Sequence, residues 1–152
     1  MKKSKKSGMI LWGVLSALML ILIYGQSMLP PQESGALSGS VVMYLKPFLV
    51  PFDWFRPEDF HYFIRKAGHF TEYTLFSLFF ALFCEMADWK NRILPLFVCL
   101  LVAVSDEFLQ SFTGRGSSVR DVVLDYSGSL FGFIIAWLVH RISCKRRMKH
   151  EA

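Results

Sequence analysis

The chain is poor in the residues on which many catalytic and secreted domains depend. It has three cysteines, four histidines and only 19% charged residues in 152 positions. Cys84 and Cys99 fall inside apolar runs and Cys144 in a basic tail, so no disulfide framework is implied. There is no HExxH pair, and one histidine, His69, lies in the main polar cluster, so the sequence points to no metal and no cofactor. Internal repeats and low-complexity tracts are missing as well. The shortage of charge excludes an ordinary soluble surface, for which about a quarter of the residues would be charged.

What fills the chain instead is apolar: 53% hydrophobic and 16% aromatic, gathered into long runs. A single domain of this length has too little interior to hide them, so the class is membrane protein. Four runs, at about 9–27, 67–87, 93–110 and 119–140, each approach the ~20 residues that cross a bilayer at ~1.5 Å per residue. The lysines before the first run followed by small residues at Gly25 and Ser27 also fit a signal peptide, but the run is long for one, and cleavage would leave three spans.

Basic residues orient the spans. With four spans, the N-terminal lysines, Lys90, Arg92 and the tail after His140 share one side, where 11 Lys and Arg face three acids for a net +8. The other side carries six basic and nine acidic residues, a net −3. The positive-inside rule makes the first side cytoplasmic, together with both termini. The basic excess therefore reads as orientation and contact with anionic lipid, and nucleic acid is not an expected partner. Residues around 45 and 115 should be external and 90 and 148 cytoplasmic. Single-cysteine labelling in a background without Cys84, Cys99 and Cys144 tests this, and impermeant labelling of position 90 from outside overturns it.

Between the first two runs lies an external segment, 28–56. It opens on the turn "SMLPPQESG" and continues as "ALSGSVVMYLKPFLVPFDWF", with Leu37, Val41, Leu45 and Phe48 on one helical face. Pro47 and Pro51 argue against a regular span there, and the aromatics suit an interfacial helix or re-entrant hairpin. Pro57 with Glu58 and Asp59 predicts the start of a helix that runs on into the second span.

The polar residues then converge. "RKAGHFTEY", "SDEFLQ" and "TGRGSSVRD" all fall at the outer boundary under this topology. Lys66, His69 and Tyr73 share a helical face with Glu72 beside them. Cys99, Ala103, Asp106 and Gln110 form a second stripe with Glu107 adjacent, and Asp121, Asp125, Gly128, Gly132 and Ala136 form a third. Charged groups at membrane depth are costly unless paired, so these stripes should face one another. Gly128 and Gly132 permit close approach of another helix of the chain or of a second copy, which leaves a homo-oligomer open.

These residues resemble the VanZ-like membrane proteins, the group named for a teicoplanin-resistance accessory factor. "RKAGHFTEYTL" followed by "DEFLQSFTGRGSSVRDVVLDYSG" carries the resemblance, with Lys66, His69, Phe70, Tyr73, Asp106, Glu107, Gln110, Gly114, Arg115 and Asp121 matching the pattern. Asp125 stands where the family usually has Asn, and Gly68 where Ala is common. The resemblance implies a multi-spanning membrane protein tied to glycopeptide susceptibility, and it supplies no biochemical activity.

Three readings of the cluster compete; a fourth, a transporter, is disfavoured because the stripes turn to Phe, Leu, Ala and Cys in the cytoplasmic half and offer no path across. One is a polar lock, in which Arg65, Lys66, Arg115, Arg120 and His69 balance Glu72, Asp106, Glu107, Asp121 and Asp125. A second is a site for an amphipathic ligand, formed by Lys66, His69, Tyr73, Asp106, Glu107, Gln110, Arg115, Asp121 and Asp125, in which Arg115 would hold a phosphate or carboxylate. The ligand would be a membrane lipid, a lipid-linked cell-wall precursor or a lipoglycopeptide. The third is an enzyme acting on a lipid-linked envelope molecule, with His69, Glu72, Asp106 and Glu107 as candidate acids and bases and Ser105, Ser111, Ser117 or Ser118 as a nucleophile. The expected architecture is an all-α, four-span bundle in the cell membrane. Its expected role is to lower glycopeptide susceptibility by binding at the outer leaflet.

Overall fold

The computed structural model describes residues 2–30, 43, 57–89, 91, 93–114 and 116–150. The interfacial segment expected at 28–56 lies almost wholly outside the described residues, as does Arg115. Among the described residues there are four long helices, α1 (Lys2–Ser27), α2 (Pro57–Met86), α3 (Ile93–Phe112) and α4 (Val119–His150), and no strand.

Local chemistry accounts for the helix ends. Pro57 opens α2, where its missing N–H is not needed. The α2 C-terminus closes with Asp88 at φ 57°, Trp89 N–H donating to Cys84 O at 2.9 Å and Asp88 N–H to Glu85 O at 3.2 Å. This left-handed stop satisfies two carbonyls that the helix leaves unpaired. Asn91 Oδ1 accepts from Ile93 N–H at 3.0 Å and Leu94 N–H at 3.3 Å, capping α3. Gly114, at φ 74°, turns the chain after α3, a conformation that a Cβ would penalise.

The helices alternate in direction. At one end Lys5 pairs with Asp88, and His140 Nδ1 meets Glu85 Oε1 at 2.6 Å. At the other, Gln26 Nε2 donates to Glu72 Oε1 at 2.7 Å, and Tyr24 shares a hydrogen bond with Ser105 at 2.7 Å. The first end carries the basic flanks, and the second carries the polar cluster. Helix α2 is central, touching α1, α3 and α4, most extensively α4 and α1.

Close backbone approach joins α2 to α4. A Cβ on Gly128 would stand 2.5 Å from Phe70 O, and one on Gly132 would stand 2.1 Å from Thr74 O. Both glycines are buried and they are one turn apart, so the helices meet along the small-residue face expected from the sequence. Two side chains fasten the contact: Thr74 Oγ1 donates to Gly128 O at 3.1 Å, and Ser77 Oγ to Ser129 O at 2.6 Å. The apolar core beside it comprises Ile23, Tyr73, Phe76, Cys99, Val102 and Ala103.

The exterior is apolar. Ile10, Leu11, Val14, Leu18 and Ile21 are exposed on α1, and Phe97, Leu101, Val104 and Phe108 on α3. Only 11% of the apolar window of α1 is buried, so most of its hydrophobic surface has no partner among the described residues. Patches of this extent are solvated by lipid, not water. Helices α1, α3 and α4 are long and apolar enough to cross a membrane, over Lys5–Ser27, Ile93–Phe112 and Val119–Ile142. Helix α2 falls short by composition because His69, Thr71, Glu72, Tyr73 and Thr74 interrupt its apolar run near the polar cluster. Its central position supplies polar partners for several of these side chains.

Candidate functional site

The three stripes meet as their spacing predicts. Cys99, Ala103, Asp106 and Gln110 are each 1% exposed or less, and Asp125 and Ala136 are 1% and 3% exposed. Tyr73 is fully buried, and Lys66, His69, Glu72 and Asp121 lie half-buried around it. All of the expected site residues except Arg115 are described, and they gather at one end of the bundle.

Inside the cluster the partners differ from residue to residue. Lys66 forms an ion pair with Asp121, and its ammonium also lies 5.3 Å from the centre of the Tyr62 ring. Gln110 Nε2 donates to Asp106 Oδ2 at 3.0 Å, joining consecutive turns of α3. Glu107 reaches across the α3–α4 turn, its Oε2 accepting from Ser118 N–H at 2.8 Å. Ser118 in turn caps α4, its Oγ accepting from Arg120 N–H at 3.2 Å. A carboxylate at this helix start also complements the α4 dipole.

His69 from α2, Asp106 from α3 and Asp125 from α4 converge, each offering one ligand atom, with all three atoms within 4.8 Å of one another. His69 Nδ1 is 3.9 Å from Asp125 Oδ1. Neither oxygen of Asp125 accepts a hydrogen bond. The Tyr73 hydroxyl is buried beside Asp106 and Asp125. Glu72, one turn from His69 in sequence, is engaged at the α1 side by Gln26.

The serines considered as nucleophiles are placed for other work. Ser105 is bonded to Tyr24 and to Val102 O, Ser111 donates to Phe108 O at 2.6 Å, and Ser118 is a cap. Ser117 is exposed in the turn. The geometry marks none of them as activated by His69.

Sequence reasoning left α1 out of this site, and the structure brings it in. Gln26 binds Glu72, Ser27 Oγ accepts from Gln110 Nε2 at 3.4 Å, and Ser27 O accepts from Thr113 Oγ1 at 3.2 Å. The signal was present as Tyr24, Gln26 and Ser27, polar residues ending an apolar run at the same boundary. A cavity of about 510 Å³ lies at the opposite end, lined by residues including Cys84, Glu85, Trp89, Pro95, Ala136 and His140.

No curated protein and no solved structure matches the chain. A family model described as VanZ/LLP1 matches residues 12–140, which take in the greater part of all four helices and every residue of the cluster. With its polar residues meeting inside an apolar helical bundle, this chain is a membrane protein of the VanZ family.

Proposed function

We propose that the polar end of the bundle binds the anionic head of an amphipathic, lipid-anchored molecule at the outer leaflet, and thereby lowers susceptibility to glycopeptides of the teicoplanin type. The ligand class is a lipid-linked cell-wall precursor or the lipidated drug itself. One observation carries this reading: exposed apolar side chains lie beside the polar cluster on the same helices. Phe108 and Phe112 pack edge to face at 4.9 Å, both more than half exposed, and Val119 and Val123 are exposed on the neighbouring helix. At the rim of the cluster, the Lys66 and Asp121 side chains keep 18% and 21% exposure, so the ammonium can be reached by an incoming anion. A ligand with a charged head and a hydrocarbon tail matches that juxtaposition. Arg115, in the adjoining glycine-flanked turn, belongs to the same proposal on sequence grounds.

The test must separate binding from a polar lock. Lys66→Met combined with Asp121→Asn removes the pair without leaving a charge unpartnered. The double variant is expected to melt within a few degrees of the parent. Its retention of co-purifying anionic lipid should fall by ~10-fold, the equivalent of losing about 1.4 kcal/mol, and the teicoplanin phenotype should fall with it. Lipid retention and phenotype equal to the parent would overturn the headgroup reading in favour of the lock.

The enzymatic alternative rests on His69 lying among carboxylates, an arrangement suited to acid–base chemistry. Turnover of a lipid-linked substrate by purified protein, abolished in His69→Ala, would support it. Bound but unchanged lipid would favour binding alone.

A further inference from the structure

We propose that His69, Asp106 and Asp125 form a binding site for one divalent transition-metal cation of the zinc or manganese class. The sequence argued against a metal because one histidine and no cysteine lie in the cluster. The fold supplies the missing donors by bringing carboxylates from two other helices to that histidine.

The geometry is that of a pre-gathered site. The three donor atoms come from α2, α3 and α4 and lie within 4.8 Å of one another. A metal ~2.1 Å from each donor needs them about 3–4 Å apart, so the set has to draw in by about an ångström to hold an ion. One imidazole nitrogen with carboxylate oxygens is a mixed set that suits zinc or manganese, and no thiolate contributes.

The state of Asp125 is a second and independent reason. It is 1% exposed, and neither of its oxygens accepts a hydrogen bond. Its nearest ionic neighbour, His69 Nδ1, stands at 3.9 Å, beyond hydrogen-bond distance. A buried carboxylate with no hydrogen bond is expensive, and folded proteins seldom leave one so. A protonated His69 would bring one positive charge to two buried carboxylates. A dication held by a neutral imidazole compensates both and fills the acceptor capacity of Asp125.

Supporting bonds of the kind that position metal ligands are in place. Gln110 Nε2 holds Asp106 Oδ2 at 3.0 Å and is itself tied to Ser27 Oγ at 3.4 Å. Such contacts fix the orientation of a ligating carboxylate. Tyr73, fully buried, places its hydroxyl next to both aspartates, where it can support the Asp106 carboxylate. The cation site stands whether or not a lipid head binds, because its test reads metal alone.

The experiment uses the full chain in detergent without a polyhistidine tag, stripped with chelator, reloaded with Zn²⁺, Mn²⁺ or Co²⁺ and desalted. The parent is expected to retain one metal per chain by mass spectrometry. Asp125→Asn and His69→Gln, both near-isosteric, should each lose at least ~10-fold in affinity, and Gln110→Ala should lose ~10-fold or more through Asp106. Added Zn²⁺ should raise the melting temperature of the parent but not of Asp125→Asn. The Co²⁺ form should absorb as a nitrogen–oxygen site without a thiolate band. Failure of the parent to retain metal, retention unchanged in Asp125→Asn, or a thiolate band from Cys84 or Cys99 overturns the assignment. Should a variant not fold, the stoichiometry and Co²⁺ spectrum of the parent decide alone. Loss of the metal site would leave the headgroup reading standing, since that is measured with lipid.

Discussion

Gly132→Leu is expected to prevent assembly of the bundle, while Gly13→Leu leaves it folded with a lower melting temperature. At Gly132 the added Cβ alone would lie 2.1 Å from Thr74 O and 3.0 Å from Leu78 N, so backbone must move before the rest of the side chain is considered. Separating α2 from α4 also stretches the Thr74–Gly128 and Ser77–Ser129 hydrogen bonds, each worth about 0.6 kcal/mol in a membrane bundle. With the lost packing the total should exceed about 4 kcal/mol, the range reserved for gross core damage. At Gly13 the neighbour is the Phe83 ring at 3.2 Å, a side chain that can swing aside. Overpacking of that kind costs about 1–3 kcal/mol. Gly13 sits among bulky apolar residues of α1, and the Phe83 contact means that its substitution is not silent. Expression yield and melting in detergent measure the difference, and equal behaviour of the two variants would remove the α2–α4 contact from the account.

Glu107→Ala should lower stability by about 2–3 kcal/mol, the cost of stripping a charge-assisted hydrogen bond from a half-buried N–H. Glu107 is 4% exposed, and its Oε2 holds the Ser118 amide at 2.8 Å, so the side chain clamps the end of α3 to the start of α4. Ser118→Ala removes only the local cap on Arg120 N–H and should cost about 1 kcal/mol. Glu107→Gln keeps an acceptor in place and should fall between the two. The order Ala at 107, Gln at 107, Ala at 118 in melting temperature is the expected result. A Glu107→Ala variant as stable as Ser118→Ala would mean that the clamp contributes nothing beyond an ordinary helix cap. Because both substitutions lie at the edge of the cluster, their effect on lipid retention also reports how firmly α4 must be held to keep Asp121 and Asp125 in place.

Much of the fold was legible in one dimension. Apolar run lengths predicted four helices, and α1, α3 and α4 match three of the expected spans closely. Helical periodicity placed Cys99, Ala103, Asp106 and Gln110 on one face, and all four are buried. The same rule put Asp125 and Gly128 on one face, because a 3.6-residue repeat fixes relative side-chain direction whatever the helix packs against. Family membership was legible as well, in the short polar patterns at the helix ends, and the family model matches residues 12–140.

Periodicity says which residues share a face, but not which faces meet. That Gly128 and Gly132 rest on Phe70 and Thr74 of α2, and not on a different helix, is a property of backbone approach in three dimensions. The entry of Tyr24, Gln26 and Ser27 into the cluster depends on how far α1 slides along its neighbours, which no spacing within α1 encodes. The pairing of Lys66 with Asp121, the reach of Glu107 to Ser118 and the meeting of His69 with Asp106 and Asp125 are likewise choices among several near-equivalent acids and bases. Charge balance in the sequence allowed many such pairings. Tertiary packing selected these, because a buried ionic contact is stable only where the helices hold both partners at the required distance and exclude water from around them.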